Sequence, residues 1–340
     1  MEANGYTVIV AGATGMVGRT MIQVLEERNF PVARLIPMAS ARSAGYTVKF
    51  RGQDIPVQEL SEAALRDARA GVALFSAGAS VSRTFSPIAV KFGTVVIDNS
   101  SAFRTDPDIP LVVPEVNPGA LQRHHGIIAN PNCSTIQMVV ALKPLHDAFG
   151  ITRVVVATYQ SVTGAGQRGY EQLMAEMRGE TLNPPKFPHP IALNLIPHID
   201  EFEADGYTRE EIKMMRETVK IMEDPSIKVN ATCVRVPVVG GHSEAVTIEC
   251  ARPLTLAAAR ELLRTAPGVI LQDDPSQKHY PMPRNAGGKD EVFVGRLRLD
   301  TTVPNGLSLW IVSDNLRKGA ATNAVQIAEA MAAQGLLQKA

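Results

Sequence analysis

The sequence predicts a two-domain α/β protein. A parallel sheet with helices on both faces comes first, and an α+β region with a mixed sheet follows. Three observations carry this. At 340 residues the chain is long for one hydrophobic core. Its first third alternates short apolar runs with helix-length amphipathic segments, the pattern of βαβ units. Farther along, the apolar runs lengthen and many alternate apolar with polar, as in an antiparallel or mixed sheet with one covered face.

In chain order, the strand candidates of the first region are Tyr6–Val10, Ala33–Met38, Val72–Ser76, Val95–Asp98 and Ile127–Ala129. Its helix candidates are Met16–Arg28, Ser61–Ala68 and Ser82–Phe92. A helical run, Thr135–Phe149, leads into the second region. Its strands are read at Arg153–Val162, Lys228–Val239, Ser243–Cys250, Glu291–Leu299 and Leu307–Val312. In Ser243–Cys250 the apolar face is Val246, Ile248 and Cys250. Covering helices are expected at Arg168–Gly179, Arg209–Glu223 and Leu256–Thr265. The Pro-rich stretch 183–190 suits neither helix nor strand and is read as a loop, a lid or an arm across a subunit interface. A final Ala-rich helix, Arg317–Ala333, carries Val325, Ile327, Ala328 and Met331 and is expected to pack on the first domain. The expected domains are therefore 1–132 completed by 315–340, and 133–314.

Composition narrows the class. Hydrophobic residues are 45% and charged residues 20%, and 34 basic residues balance 34 acidic ones. That is an ordinary globular balance and argues against a nucleic-acid partner. No apolar stretch approaches the roughly 18–20 residues that span a bilayer. Met1-Glu2-Ala3-Asn4-Gly5 lacks the basic and apolar regions of a signal peptide. The three cysteines, Cys133, Cys233 and Cys250, show no paired spacing. The expectation is a cytoplasmic protein without a metal site.

The first strand runs into Gly12-Ala13-Thr14-Gly15-Met16-Val17-Gly18, which opens the first helix. Glycines there let backbone approach a pyrophosphate whose charge sits at the helix N-terminus. The spacing is GxxGxxG instead of GxGxxG, but its strand-before, helix-after setting is that of a Rossmann-type domain. Gly12, Thr14, Gly15, Met16 and Val17 are the candidate cofactor contacts. An NAD site usually places an acidic residue about 20 residues beyond these glycines. Here no acidic residue falls between Glu27 and Asp54, and the second strand ends in Ser40, Arg42 and Ser43. Those side chains suit a ribose 2′-phosphate, so the expected cofactor is NADP. A short-chain dehydrogenase is excluded, because none of the six tyrosines has a lysine four residues later.

Cys133 lies in Asn130-Pro131-Asn132-Cys133-Ser134-Thr135, at a strand-to-helix turn. Backbone N–H groups at a helix start favour a thiolate and can hold an oxyanion. Cys133 is therefore the candidate nucleophile, and Cys233 and Cys250, within apolar runs, are structural. A thiol nucleophile needs a proton partner. Of the seven histidines, His242 follows Gly240-Gly241 at a bend between two strands, and is the candidate acid/base.

In combination, the glycine loop, Asn99-Ser100-Ser101-Ala102-Phe103-Arg104, the Cys133 segment, Tyr159-Gln160-Ser161-Val162-Thr163-Gly164-Ala165-Gly166, and Arg235-Val236-Pro237 through Gly241-His242 resemble aspartate-semialdehyde dehydrogenases. The resemblance runs in order from about residue 6 to about residue 330, and is nearest the bacterial NADP-dependent branch. It implies that Cys133 forms an acyl thioester and His242 is the acid/base. It implies that Gln160 positions the acyl group, that Arg235 pairs with a substrate carboxylate, and that Arg104 and Lys213 bind phosphate. Glu210 would meet the substrate amino group, although Glu211 is equally placed in sequence. Thr163, Gly164 and Asn315 would touch the cofactor near its nicotinamide.

The implied reaction is NADPH-dependent conversion of aspartyl 4-phosphate to aspartate 4-semialdehyde, in lysine, threonine, methionine and diaminopimelate biosynthesis. The implied assembly is a homodimer or a dimer of dimers, joined through the second domain's sheet. An N-acetyl-glutamyl-phosphate reductase and a non-catalytic NADP-binding paralogue are the alternatives. The Asn-Cys-Ser-Thr setting and the Gly-Gly-His bend favour the aspartate enzyme over the first. The presence of both thiol and histidine argues against the second.

Overall fold

The computed structural model describes residues 5–339. The stretch read for a leader (residues 1–4) and residue 340 lie outside them. The chain divides into two compact units: one runs to Pro131 and resumes at Ala320, and the other is Asn132–Gly319.

The first unit begins β1 (Tyr6–Ala11), α1 (Met16–Glu27), β2 (Val32–Ala39), β3 (Thr47–Phe50), β4 (Gln53–Pro56) and β5 (Gln58–Glu59). It continues α2 (Glu62–Ala68), β6 (Val72–Phe75), α3 (Ala79–Lys91), β7 (Val95–Asp98) and β8 (Ile127–Ala129). Six strands form a sheet in the order β5-β2-β1-β6-β7-β8, and every pair is parallel. β1 is buried at every position because its alternating side chains enter two cores. Val8 and Val10 join Met21 and Leu25 of α1 on one face. Ile9 and Ala11 join Leu65 of α2 and Ala89 of α3 on the other. Full burial of each large apolar side chain contributes roughly 1.5–3 kcal/mol.

The strand order reverses between β1 and β6, which opens a crevice beyond their carboxyl ends, and the glycine loop sits there. Gly12 has φ of +85°, and a Cβ on it would fall 2.5 Å from the Ser76 carbonyl oxygen at the end of β6. A Cβ on Gly18 would collide with the Gly12 carbonyl, so α1 can lie this close to the loop only with glycine there. The β3–β4 hairpin has no counterpart among the expected strands. Its four-residue strands are mostly exposed and too short to show a period.

The second unit contains α4 (Cys133–Phe149), β9 (Ile151–Gln160), α5 (Gln167–Met177), α6 (Arg209–Met222), β10 (Lys228–Arg235) and β11 (His242–Cys250). Then come α7 (Leu256–Thr265), β12 (Val269–Leu271), α8 (Pro283–Ala286), β13 (Val292–Asp300) and β14 (Gly306–Ser313). Its sheet runs β10-β9-β11-β14-β13-β12, parallel at its two outer pairs and antiparallel between. The central helix α4 packs on β9, β11, β13 and β14, and is buried along most of its length. On β11 the buried side chains include Val246, Ile248 and Cys250, the face that alternation marks.

The helix read from Arg317 starts with a π-helical turn, Arg317–Ala321, before α9 (Thr322–Ala333). The second unit keeps the chain as far as Gly319, since Asp314 caps the turn and Arg317 pairs with Asp290 at 2.8 Å. Val325, Ile327, Ala328 and Met331 of α9 then enter the α1 side of the first core.

Candidate active site

α4 starts at Cys133 because Asn132 caps it: the Asn132 Oδ1 accepts from Ser134 N at 3.0 Å and Thr135 N at 3.1 Å. The backbone N–H of Asn132 donates to Glu217 Oε2 at 2.7 Å, and its side-chain amide to Glu210 Oε1 at 2.8 Å. This differs from the expectation of outward N–H groups left to hold an oxyanion. Three of the amides at this helix start are engaged by the chain itself. The two carboxylates sit where the helix dipole favours negative charge.

The strand ends of the second sheet supply the groups beside Cys133. Gln160 ends β9 and is opposite Arg235 at the end of β10. Both are buried. Gln160 Nε2 donates to Glu210 Oε1 at 3.2 Å. Arg235 Nη1 donates to the Ser161 carbonyl at 2.7 Å, and its guanidinium lies over the Phe187 ring. Phe187 belongs to the Pro-rich stretch, whose backbone is pinned by Gln172 and which packs with Val162, Leu173 and Ile191. Burial draws the Arg235 pKa down, while Glu210 and the thiolate of Cys133 support its charge.

His242 opens β11 and is fully buried. Its Nδ1 accepts from Ser161 N at 3.1 Å, and its Nε2 has no hydrogen-bond partner among the described residues. A Cβ on Gly164 would lie 2.8 Å from Arg235 Nη1 and 3.1 Å from His242 Nε2, so glycine, arginine and histidine share one small space. Burial and then the Arg235 cation push the imidazole down to about 3, outweighing Glu210 and the Gly241 carbonyl. Asn315 Oδ1 accepts from Ser161 Oγ, Thr163 Oγ1 and Gly241 N, which fixes the bend that carries His242.

α6 resolves the Glu210–Glu211 ambiguity. Glu211 closes a capping box with Thr208 and also accepts from Cys233 N at 3.0 Å, so it is spent on structure. Glu210 faces Asn132 and Gln160 and lies 3.3 Å from Lys213 Nζ. Burial pushes the Glu210 carboxyl up, but Lys213, Asn132, Arg235 and Gln160 together hold it below its usual range. Lys213 also pairs with Asp200 at 2.6 Å.

The remaining candidates belong to the first unit. Thr14 and Ser43 line a cleft of ≈ 850 Å³ together with Arg19 and Lys49. Ser40 and Arg42 are exposed at the turn after β2. Gly15 is the residue before α1, and Met16 and Val17 form its first turn. Arg104 is buried, and its Nη2 donates to the Asn99 carbonyl at 2.9 Å, so it is no surface charge.

Cys233 and Cys250 are buried, and burial pushes their thiols up, that of Cys250 to about 11. Neither is a nucleophile at neutral pH. His146 is occupied by the Ile151 N–H and lies 3.5 Å from Asp224. Among the described residues no cluster of acidic, His or Cys side chains could hold a metal ion, and no helix is long and apolar enough to cross a membrane.

Comparison with known proteins bears on the whole chain. Residues 7–124 match the NAD binding domain of the semialdehyde dehydrogenases, and residues 142–318 their dimerisation domain. The chain is 55% identical to the aspartate-semialdehyde dehydrogenase of Aquifex aeolicus over 98% of this chain and 100% of that one. With that of Bacillus subtilis the figure is 53%, over 96% and 97%. The crystal structure of aspartate semialdehyde dehydrogenase II from Vibrio cholerae superposes with a TM-score of 0.93 at 50% identity, covering 97% of this chain and 99% of that one.

The chain belongs to the aspartate-semialdehyde dehydrogenase family. It is accordingly an oxidoreductase with a nicotinamide-nucleotide domain and a role in amino-acid biosynthesis.

Four residues of this dehydrogenase site escape a motif reading. Asn132 stood out in the sequence only as a neighbour of Cys133, and neither its capping of α4 nor its link to Glu210 was read. Ser161 acts through its backbone N–H, which no side-chain pattern reveals. Glu217 lies two turns beyond Glu210 on α6, and that spacing was its only signal. Gly319 lets the returning chain pass Cys133: a Cβ there would sit 2.9 Å from the Cys133 Cβ. Nothing in the sequence marks it.

Proposed function

We propose that the protein reduces L-aspartyl 4-phosphate to L-aspartate 4-semialdehyde with NADPH, through a thioester on Cys133, and runs the reverse reaction with phosphate. The observation that carries the reading is the grouping of the half-buried Cys133 with the buried Gln160, Glu210, Arg235 and His242 in the second unit. Arg235 presents a planar fork suited to a carboxylate. Glu210, held ionised, suits an ammonium group. A substrate bearing both is an α-amino acid. Arg104 and Lys213 are the cations assigned to its phosphate.

The Cys133 thiolate attacks the acyl carbon, and the phosphate departs. NADPH, when bound, supplies the hydride that reduces the thioester. Collapse of the resulting tetrahedral adduct releases the aldehyde and returns the thiolate to Cys133. Gln160 holds the acyl group in place, and His242 is assigned as the acid/base that assists proton transfer as the adduct collapses.

The glycine loop fits a dinucleotide: at Gly12 and Gly18 any Cβ would close the space that the backbone leaves beside the helix N-terminus. Gly12, Thr14, Gly15, Met16 and Val17 would hold its pyrophosphate. Thr163, Gly164 and Asn315 are assigned to the nicotinamide end. Ser40, Arg42 and Ser43 would hold a 2′-phosphate, which favours NADP over NAD. A relative from Candida albicans, 26% identical with a TM-score of 0.76, was crystallised with NADP. We also infer a homodimer formed through the uncovered face of the second sheet, where Tyr159 and Trp310 pack together with centroids 5.5 Å apart.

The test is a spectrophotometric assay with aspartate semialdehyde, NADP and phosphate. Reduction of NADP that requires phosphate supports the reading. Turnover with N-acetyl-glutamate semialdehyde in its place would overturn it.

A further inference from the structure

The Pro-rich stretch has no part in the chemistry above, yet two side chains one turn apart on α5 clasp it and the segment that follows. Gln172 Oε1 accepts from Lys186 N at 2.6 Å and from Phe187 N at 2.7 Å. Glu176 Oε2 accepts from Ile191 N at 2.7 Å and from Ala192 N at 2.8 Å. Gln172 Nε2 donates to Glu176 Oε1 at 2.7 Å, which joins the two clasps. One helix thus satisfies the backbone donors of a segment that has no regular structure of its own. Gly169 permits the close approach: a Cβ there would lie 3.1 Å from Phe187 Cζ and 2.3 Å from the Val162 carbonyl oxygen.

The clasped segment meets Arg235 twice. The buried Phe187 ring lies under the guanidinium, with the central carbon 5.7 Å from the ring centroid. Beyond Ala192, Ile196 forms an antiparallel bridge to Arg235 on β10, the edge strand of the second sheet. Ile196 N donates to the Arg235 carbonyl at 3.0 Å, and Arg235 N to the Ile196 carbonyl at 2.8 Å. The backbone of Arg235 is therefore held by Ile196, its Nη1 by the Ser161 carbonyl, and one face of its guanidinium by Phe187. Nε and Nη2 form the other edge of the fork, and a carboxylate accepts from such an edge in the guanidinium plane. An aromatic face beneath the group sets that plane and supports its charge.

We propose that the segment from Lys186 to Ile196 is a positioning strap for Arg235, with Phe187 fixing the plane in which the arginine meets the substrate carboxylate. This rests on the carboxylate reading of Arg235 above. A fork held in its plane beforehand loses less freedom when the carboxylate arrives. Phe187 acts through Arg235 and is a positioning residue. Gln172 and Glu176 act one step farther back, by holding Phe187 and the strap against α5.

The test is steady-state kinetics with aspartate semialdehyde, NADP and phosphate on Phe187→Leu, Phe187→Tyr, Gln172→Ala, Arg235→Lys and the double variant of Arg235→Lys with Phe187→Leu. Leucine keeps an apolar side chain without a π face, and tyrosine keeps the face. Phe187→Leu is expected to raise KM for aspartate semialdehyde about tenfold, to change kcat by less than about threefold, and to leave KM for NADP unaltered. Phe187→Tyr should stay within about twofold of the parent. Gln172→Ala keeps Phe187 but unclasps the strap, and should raise the same KM about three- to tenfold; it carries the test if Phe187→Leu folds poorly. Arg235→Lys has no fork left to orient, so adding Phe187→Leu to it should lower kcat/KM by less than about twofold more. An unaltered KM in Phe187→Leu and Gln172→Ala, a tyrosine no better than leucine, or a full tenfold further loss in the Arg235→Lys background would overturn the proposal. A mild effect of Arg235→Lys alone sinks the carboxylate reading and the strap with it. A severe effect of Arg235→Lys beside an unaltered Phe187→Leu sinks the strap and leaves that reading standing.

Discussion

Replacing Glu244 with glutamine is expected to make the protein more stable relative to the parent as pH rises. Glu244 lies on β11 two residues after His242, flanked by Thr158 on β9 and Ile311 on β14. It is 0% exposed, and neither carboxyl oxygen has a hydrogen-bond partner among the described residues. Burial pushes its carboxyl well above the usual carboxylate range, opposed only by the Gln137 amide. The folded protein thus keeps a proton that the unfolded chain releases above about pH 4.3. The stabilisation from this proton is complete below that pH and is lost as pH rises toward the folded value. The loss is about 1.4 kcal/mol per pH unit between the unfolded and the folded values. Glutamine has nearly the same shape and does not titrate. Urea unfolding of both proteins at several pH values gives the difference in stability, from which all other titrating groups cancel. That difference should move in favour of Glu244→Gln by about 1.4 kcal/mol per pH unit as the pH rises above about 5. A difference that does not vary with pH would refute a protonated Glu244.

Three further substitutions probe the site. Arg235→Lys keeps the charge but loses the fork, and should lower kcat/KM by about 2–3 kcal/mol, roughly 30- to 160-fold; a change of a few-fold would remove Arg235 from the carboxylate role. Arg42→Ala should raise KM for NADP about tenfold and leave KM for NAD unaltered, whereas equal effects on both would sink the 2′-phosphate assignment. Gly319→Ala places a Cβ against that of Cys133 and should destabilise by about 1–3 kcal/mol while slowing alkylation of Cys133 by iodoacetamide; a thiol that alkylates at the parent rate would show that the chain can move aside.

The first sheet was legible because both of its faces are buried, so its strands read as short apolar runs bounded by turns. The second was legible where one face alternates, as in β11. The hairpin of β3 and β4 and the three-residue β12 were not, being too short for a period to appear. At the site, two residues in unusual settings could be read from the chain itself, Cys133 at a helix start and His242 after two glycines, whereas Arg235 fell inside the strand read at Lys228–Val239 and was singled out by the resemblance alone. Contacts that depend on backbone atoms or on close approach could not. The Ser161 N–H on His242, the Asn132 N–H on Glu217 and the passage of Gly319 over Cys133 are set by where strands end in space, and a linear pattern carries no such information. The Glu210–Glu211 choice was similarly open in sequence, since both fall in the first turn of α6. Only the position of Thr208 and of β10 assigns Glu211 to the cap.

The central claim is that catalysis passes through an acyl group on Cys133. The most direct measurement is the intact mass of the enzyme after rapid mixing with aspartyl 4-phosphate in the absence of NADPH, followed by peptide mapping. The account expects one added aspartyl group per chain, located on Cys133, discharged by NADPH and absent from Cys133→Ala. An enzyme that turns over without ever carrying that group, or that carries it on another residue, would contradict the account.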